Sequence, residues 1–107
     1  MDTISLSEHS TAAASLLSAM ANPKRLMILC CLVRGEVPVG ALASQVGLSQ
    51  SALSQHLSKL RAQKLVKTRR DAQTIYYSST SESVLKVLAT LEDLYCTPGD
   101  EKRSVAA

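Results

Sequence analysis

The chain has 107 residues, of which 46% are hydrophobic and 20% are charged, and its net charge at pH 7 is +3. This balance is typical of one folded domain with its own core, here residues 1–107, and excludes a disordered or fibrous chain. The longest apolar run, residues 26–33, is far shorter than the roughly 20 residues of a membrane-spanning helix, and the polar start lacks a basic segment followed by an apolar one. We therefore expect a cytoplasmic protein without membrane contact, whose small positive charge suits a nucleic-acid partner.

Two helices are predicted at the start of the chain. Residues 5–20 place leucine, alanine and methionine at helical spacing and predict the first helix. Asn22 and Pro23 favour a new start, because Asn caps a helix N-terminus well and Pro suits the first helical position. The second helix is predicted over residues 23–34, and Gly35 closes it.

A short helix and a longer one follow, joined by a tight turn at residues 47–48. The short helix is predicted over residues 39–46 and ends at Gly47. Ser49 is a natural N-cap for the longer helix, whose opposite face is strongly polar. The apolar face of the longer helix carries three leucines at spacings of four and three: Leu53, Leu57 and Leu60.

Beyond Lys64 the hydrophobic period changes from helical to alternating. LVKTRR and TIYYSS, separated by a turn at residues 71–73, predict a two-stranded hairpin. Residues 79–82 have the spacing of a capping box, and an apolar stripe then predicts a fifth helix that reaches Tyr95. The stripe is wider than one small domain needs. Residues 98–107 are polar, and we expect a frayed tail.

Four helices, a hairpin and a fifth helix predict a mainly α fold with a β-hairpin wing, the winged helix-turn-helix. In this design the fourth helix enters the major groove of double-stranded DNA, and the wing follows the backbone. Gln and Ser side chains suit base edges, whereas the wing cations suit phosphates. The predicted DNA-binding residues are Gln50, Ser51, Ser54, Gln55, His56, Lys59, Arg69, Arg70 and Gln73.

Other readings of this polar face remain open. It is also compatible with an exterior that has no partner, or with an interaction module that has lost DNA. His56, beside the apolar stripe, suits helix packing or a phosphate contact rather than catalysis. An enzyme is disfavoured, because the sequence has no Cys-x-x-Cys, no Gly-rich phosphate loop and no nucleophile with a plausible His partner. We expect no cofactor.

Three stretches resemble hallmarks of the ArsR family of bacterial winged-helix repressors. They are NPKRLMIL on the second helix, LSQSALSQHLSKLR on the fourth and VKTRRDAQTIYYS on the hairpin, and the resemblance covers residues 21–96. It implies a homodimer paired through the first and last helices, which accounts for the wide stripe on the fifth helix. It also implies an inducer that weakens DNA binding.

The chain departs from the metal-sensing members of that family. Many of them carry Cys-Val-Cys at the start of the third helix, where this chain has residues 38–40, Pro-Val-Gly. Others bind zinc through Asp and His on the last helix, which here contains no His. With His9 and His56 as its two histidines, the chain offers few ligands for a tetrahedral zinc site, and we expect no metal.

The three cysteines, Cys30, Cys31 and Cys96, give the inducer its candidate chemistry. One cysteine late in the second helix and one at the end of the last helix resemble the persulfide-sensing subgroup of the SqrR and BigR type. That resemblance implies that reactive sulfur species join the two as a disulfide or a short polysulfide bridge. Neighbours on a helix point about 100° apart, so at most one member of the doublet faces Cys96. The family pattern assigns Cys30 to the redox pair and Cys31, less suited to that role, to core packing.

Three alternatives for the thiols stay open. The three sulfurs suit a soft metal or arsenite, although neighbouring cysteines diverge on a helix. The same pair also suits a sensor of oxidants in general. In the third alternative all three cysteines only fill apolar space.

Overall fold

The computed structural model describes residues 3–96, which form six helices and a three-stranded antiparallel sheet. The predicted winged helix-turn-helix is confirmed, and the predicted tail at residues 98–107 lies outside the described residues. In chain order the elements are α1 (Thr3–Glu8), α2 (Ser10–Met20), α3 (Pro23–Leu32), β1 (Val37–Pro38), α4 (Val39–Val46), α5 (Gln50–Ala62), β2 (Lys67–Asp71), β3 (Thr74–Ser78) and α6 (Glu82–Tyr95).

The single first helix predicted over residues 5–20 is wrong in one respect, because the structure divides it into α1 and α2. The break lies at His9, whose backbone has φ −106° and ψ 14°. The His9 N–H donates to the carbonyl of Leu6, three residues back, at 3.1 Å. This tighter turn replaces the four-residue bond of an α-helix, so the direction of the chain changes there.

The start of α3 follows the prediction. The Asn22 side chain accepts from the backbone N–H groups of Lys24 and Arg25, at 2.9 and 3.1 Å, and Pro23 takes the first helical position. The helix ends at Leu32, two residues before the predicted end. Gly35, with φ +151°, follows the last turn.

The helix-turn-helix consists of α4, a tight turn and α5. Gly47 ends α4 in the left-handed conformation, with φ +69°, and the N–H of Leu48 donates to the Ala43 carbonyl at 3.0 Å. Lys24 donates from Nζ to the carbonyl of Val46 at 2.6 Å, which joins α3 to the end of α4. These bonds satisfy carbonyls that a helix C-terminus leaves without partners.

The sheet contains one strand that the sequence did not predict. β1 pairs antiparallel with β3, with Val37 opposite Tyr77, and the strand order is β1-β3-β2. Two residues, one of them Pro, carry no alternating pattern to recognise. The turn between β2 and β3 holds only residues 72–73, one fewer than predicted, and its Ala72 has φ +56°.

The cap of the last helix is also corrected. The capping-box reading placed the start at residues 79–82, but Ser81 is the N-cap and its hydroxyl accepts from the N–H of Val84 at 3.2 Å. The buried Ser79 hydroxyl instead donates to the Leu65 carbonyl at 2.7 Å, and the N–H of Ser79 donates to the Leu32 carbonyl at 3.2 Å. Ser79 thus holds the end of the wing against α3.

The core lies between α3, α4 and α5, and the first turn of α6 closes it. Its fully buried large side chains are Ile28, Leu29, Leu32, Leu42, Val46, Leu53, Leu57, Leu60 and Val84. Within the described residues, every helix is too short or too polar to cross a membrane.

Candidate DNA interface and thiol site

The polar residues predicted on the fourth helix all lie on one side of α5. Ser49 caps the start of the helix, because its hydroxyl accepts from the N–H of Ala52 at 3.2 Å. The three leucines of α5 are at most 2% exposed. Because one face is fixed against the core, the opposite face must meet solvent. Its exposed side chains are Gln50, Ser51, Ser54, Gln55, Ser58 and Lys59.

His56 differs from the other predicted DNA-binding residues, since it is half-buried at the flank of α5. Its Nδ1 lies 3.3 Å from Nη1 of Arg25, a residue of α3 that is only 9% exposed. Partial burial lowers the pKa of His56 below its usual value, and the charges of Arg25 and Lys59 lower it further. The imidazole is thus held in its neutral form.

Sequence reasoning did not identify Arg25 as a functional residue. Its signal was a charged side chain inside the apolar stretch NPKRLMIL, where a buried cation needs partners. The structure supplies them, because Nε donates to the Ala19 carbonyl at 2.6 Å and Nη2 to the Ser18 carbonyl at 3.4 Å. Arg25 therefore joins the end of α2 to α5.

The wing separates its two predicted arginines onto opposite faces, because neighbouring residues of a strand alternate. Arg69 donates to both oxygens of Glu36, from Nε at 2.9 Å and from Nη2 at 3.0 Å, and its guanidinium stacks 4.6 Å from the centre of the Tyr76 ring. Arg70 and Gln73 are exposed. Among the described residues, Arg70 makes no salt bridge.

The Glu36 and Arg69 pair changes the charge of the wing. The hydrogen bond from Arg69 lowers the pKa of Glu36, and its pairing with Glu36 raises the pKa of Arg69. Both side chains are exposed, so the pair is accessible to ions and to DNA. A phosphate that contacts Arg69 must compete with the Glu36 carboxylate.

All three cysteines are free thiols. Cys30 is exposed near the end of α3, whereas Cys31 is half-buried and packs against the core. Cys96 is partly buried directly after α6, and its N–H donates to the Glu92 carbonyl at 2.7 Å.

The surroundings of Cys30 oppose its ionisation. Partial desolvation is the main cause that raises the pKa of this thiol; Cys31 and the Glu92 carboxylate raise it further, and Arg34 acts in the opposite direction. The lowering effect of Arg34 is therefore outweighed. The charge of Glu92, in the last turn of α6, is thus one of the influences that act on the pKa of Cys30.

Metal ligands are sparse in the part of the chain that the structure describes. No three His, Cys, Asp or Glu residues within residues 3–96 come together as a potential metal site.

Comparison with known proteins identifies relatives for nearly the whole chain. A model of bacterial regulatory proteins of the arsR family matches residues 22–68. The nodulation protein NolR of Rhizobium meliloti is 67% identical over 98 residues, which cover 92% of this chain and 78% of NolR.

Two solved structures share the fold. Reduced HlyU from Vibrio cholerae has a TM-score of 0.79 at 48% identity and covers 87% of this chain and 98% of its own. The transcriptional repressor BigR from Xylella fastidiosa has a TM-score of 0.85 at 35% identity and covers 91% of this chain and 99% of its own. The likeness therefore extends well beyond residues 22–68.

Proposed function

The chain belongs to the arsR family of bacterial regulatory proteins, and we propose that within it the protein is a dimeric repressor of transcription. Its membership makes it a transcriptional regulator that binds DNA. The proposed inducer is a reactive sulfur species, a persulfide or polysulfide, that oxidises or bridges Cys30 and Cys96. The bridged protein then leaves its operator.

The exposed face of α5 supports the assignment of DNA contacts. Its Gln and Ser side chains are short enough to let the helix approach base edges, and amide groups pair well with adenine. We assign base contacts to residues 50–55 of this face. Phosphate contacts are assigned to Lys59 and, on the wing, to Arg69, Arg70 and Gln73.

A dimer is supported by exposed apolar side chains on the outer helices. Of the six exposed large apolar side chains among the described residues, five lie on α1, α2 and α6, which favours these helices as the interface. A second copy of the chain is the partner we propose, because a symmetric pair of recognition helices matches two half-sites on DNA. The exposed large apolar residues are Leu6, Leu17, Met27, Leu85, Leu94 and Tyr95.

The observation that carries the thiol assignment is the exposure of Cys30 next to Cys31, which packs against the core. Glu92 lies one helical turn before Cys96, and the two are joined by a backbone hydrogen bond. The Glu92 carboxylate is one of the charges that raise the pKa of Cys30, so the end of α6 that carries Cys96 acts on Cys30, whereas Cys31 packs toward the core. These features support Cys30 as the partner of Cys96.

The proposed reaction has two steps. A thiolate, from Cys30 or Cys96, attacks the outer sulfur of a persulfide RSSH, forms a cysteine persulfide and releases the thiolate RS⁻. The second cysteine thiolate then attacks the inner sulfur of that persulfide, forms the disulfide and releases HS⁻. Two thiols lose two electrons, and the transferred sulfur gains them.

The bridge is proposed to act on DNA binding mechanically. It joins the end of α3 to the end of α6, and α6 belongs to the proposed dimer surface. A shift of α6 changes the distance between the two recognition helices, which must match half-sites about 34 Å apart.

Single serine variants test the thiol assignment. We expect the reduced wild type and the Cys31→Ser variant to bind a selected operator duplex and to release it after polysulfide treatment. The Cys30→Ser and Cys96→Ser variants bind the same duplex and keep it. Mass spectrometry of the wild type shows a peptide pair joined through Cys30 and Cys96.

Each other outcome contradicts a named part of the proposal. If polysulfide still dissociates the Cys30→Ser variant from the operator but no longer dissociates the Cys31→Ser variant, the sensing thiol is Cys31. If arsenite alone, or hydrogen peroxide in preference to polysulfide, dissociates the wild-type protein from the operator, that compound is the inducer and the reactive sulfur species is not. If the reduced protein increases expression from a promoter reporter, the protein is an activator of transcription and not a repressor.

A further inference from the structure

Arg25 bridges three helices with one guanidinium. It lies in the first turn of α3, lines an open cleft of about 900 Å³ between α2 and α5, and is 9% exposed. Its Nε and Nη2 donate to the carbonyls of Ala19 and Ser18, in the last turn of α2. The last carbonyls of a helix lack partners within it; Arg25 supplies a donor to both, and the Ser18 carbonyl also accepts from the N–H of Ala21 at 3.4 Å. The remaining guanidinium nitrogen, Nη1, lies 3.3 Å from Nδ1 of His56 on α5.

This contact fixes the tautomer of His56. A guanidinium carries only donors, so Nδ1 of His56 must accept. In the neutral ring the proton is then on Nε2, which points away from Arg25. A doubly protonated ring has no acceptor for Arg25 and places a second positive charge beside it.

We propose that Arg25 is a positioning residue for DNA binding, which holds the recognition helix against the end of α2 through Nδ1 of His56. The proposal rests on the DNA-binding part of the proposed function and does not depend on the thiols. Protonation of His56 breaks the contact, so acid loosens α5 and weakens operator binding.

The direction of the pH effect follows from the groups that face His56. These are Arg25 from α3 and Lys59 from α5, both cationic, and together with burial they lower the pKa of His56 from 6.5. The contact is therefore complete at pH 7.5. It is lost only as the pH falls through that lowered pKa.

Two substitutions of His56 separate positioning from direct DNA contact. In His56→Asn the amide oxygen occupies nearly the place of Nδ1 and accepts from Arg25, but nothing replaces Nε2. In His56→Gln the amide reaches the place of Nε2 and leaves Arg25 without its acceptor. We expect His56→Asn to stay within about threefold of the wild-type affinity and His56→Gln to lose about tenfold or more, since a hydrogen bond to a charged group is lost.

The probe is a 30-base-pair duplex that the reduced wild-type protein selects from a randomised library, titrated between pH 5 and 8 by fluorescence anisotropy. Wild-type affinity is expected to fall with acid, while the affinity of His56→Asn changes much less. His9→Asn, at the exposed second histidine, is the matched control and keeps the wild-type profile. NMR of the free protein is expected to show the Nε2–H tautomer of His56.

The opposite results overturn the inference. The first is a His56→Gln variant that binds the operator as tightly as or more tightly than His56→Asn. The second is a wild-type affinity that rises as the pH falls, and the third is an Nδ1–H tautomer of His56. Urea unfolding of each variant checks that a loss of operator affinity does not result from a loss of folded protein. A wild-type protein that selects no duplex overturns the proposed function as well, whereas failure of the variants alone overturns only the role of Arg25.

Discussion

At the scale of single residues, the reactivity of Cys30 depends on the pKa of its thiol as well as on its accessibility. The side chain is accessible, but desolvation and the Glu92 carboxylate raise its pKa, so little of it is thiolate at neutral pH. The thiolate is the reacting species. The rate at which Cys30 reacts should therefore increase as the pH rises toward and through its raised pKa.

The Glu92→Gln substitution should accelerate alkylation of Cys30. Removing the carboxylate removes one cause of the raised pKa, and we expect about a twofold higher rate with iodoacetamide at pH 7.5, as suits one charge in a partly solvated site. Asp93→Asn removes an exposed carboxylate from the next position of α6 and is the control. Quantitative mass spectrometry of the Cys30 peptide gives the rates, and equal rates for all three proteins contradict the placement of Glu92.

On the wing, Glu36 competes with DNA for Arg69. We expect Glu36→Gln to bind the operator more tightly at low salt and to steepen the plot of log affinity against log salt by about 0.9 per protomer, or about 1.8 for the proposed dimer, since each copy gains one phosphate contact. Glu8→Gln, which removes an exposed carboxylate of α1, is the control for net charge. An unchanged slope indicates that Arg69 does not meet a phosphate.

At the scale of elements, two glycines of the helix-turn-helix differ in backbone conformation, so alanine is expected to have opposite effects on stability at the two positions. Gly47 has φ +69°, and a methyl group there would meet only Lys24 Nζ, at 3.7 Å, an ordinary contact. Gly40 lies inside α4 with open space around it. Backbone conformation, not packing, therefore decides the effect of alanine at each position.

Gly47→Ala should lower the free energy of unfolding by about 1–2 kcal/mol, the cost of a left-handed residue with a side chain. Gly40→Ala should raise it by up to about 1 kcal/mol, because alanine favours a helix. Urea denaturation at one fixed protein concentration measures both. A stabilising Gly47→Ala contradicts the left-handed turn.

Two errors in the predicted elements, at the cap of α6 and at β1, share a physical origin. The pattern at residues 79–82 allowed two caps, and the choice depended on the Leu65 carbonyl, which binds the Ser79 hydroxyl from a distant part of the chain. β1 exists because β3 offers it a free edge. Contacts between distant segments decided both, and a local pattern does not contain them.

At the scale of the whole molecule, the exposed apolar side chains of the outer helices mark the proposed dimer. Leu94 is 67% exposed and Tyr95 is 78% exposed at the end of α6, while the start of the same helix is buried through Val84. One end of α6 thus belongs to the core of its own chain. The other end is available to a partner.

Leu94→Glu should convert the protein to a monomer, because a buried, unpaired carboxylate is costly in an apolar interface. Operator affinity should fall with it, since one recognition helix reads only one half-site. Thr80→Glu, at an exposed polar position just before the opposite end of α6, should leave the dimer intact. Analytical ultracentrifugation measures the assembly, and a Leu94→Glu dimer contradicts this interface.

The amino-acid sequence by itself determined the helix-turn-helix, the hairpin of β2 and β3, the caps at Asn22 and Ser49 and the polar face of α5, because each follows from the residue pattern along one segment. Only the tertiary structure decided the partners of Arg25, the pairing of Arg69 with Glu36 and the neighbours of Cys30. These features join segments far apart in the chain. Burial and charge at such meeting points depend on packing, which no local pattern of residues specifies.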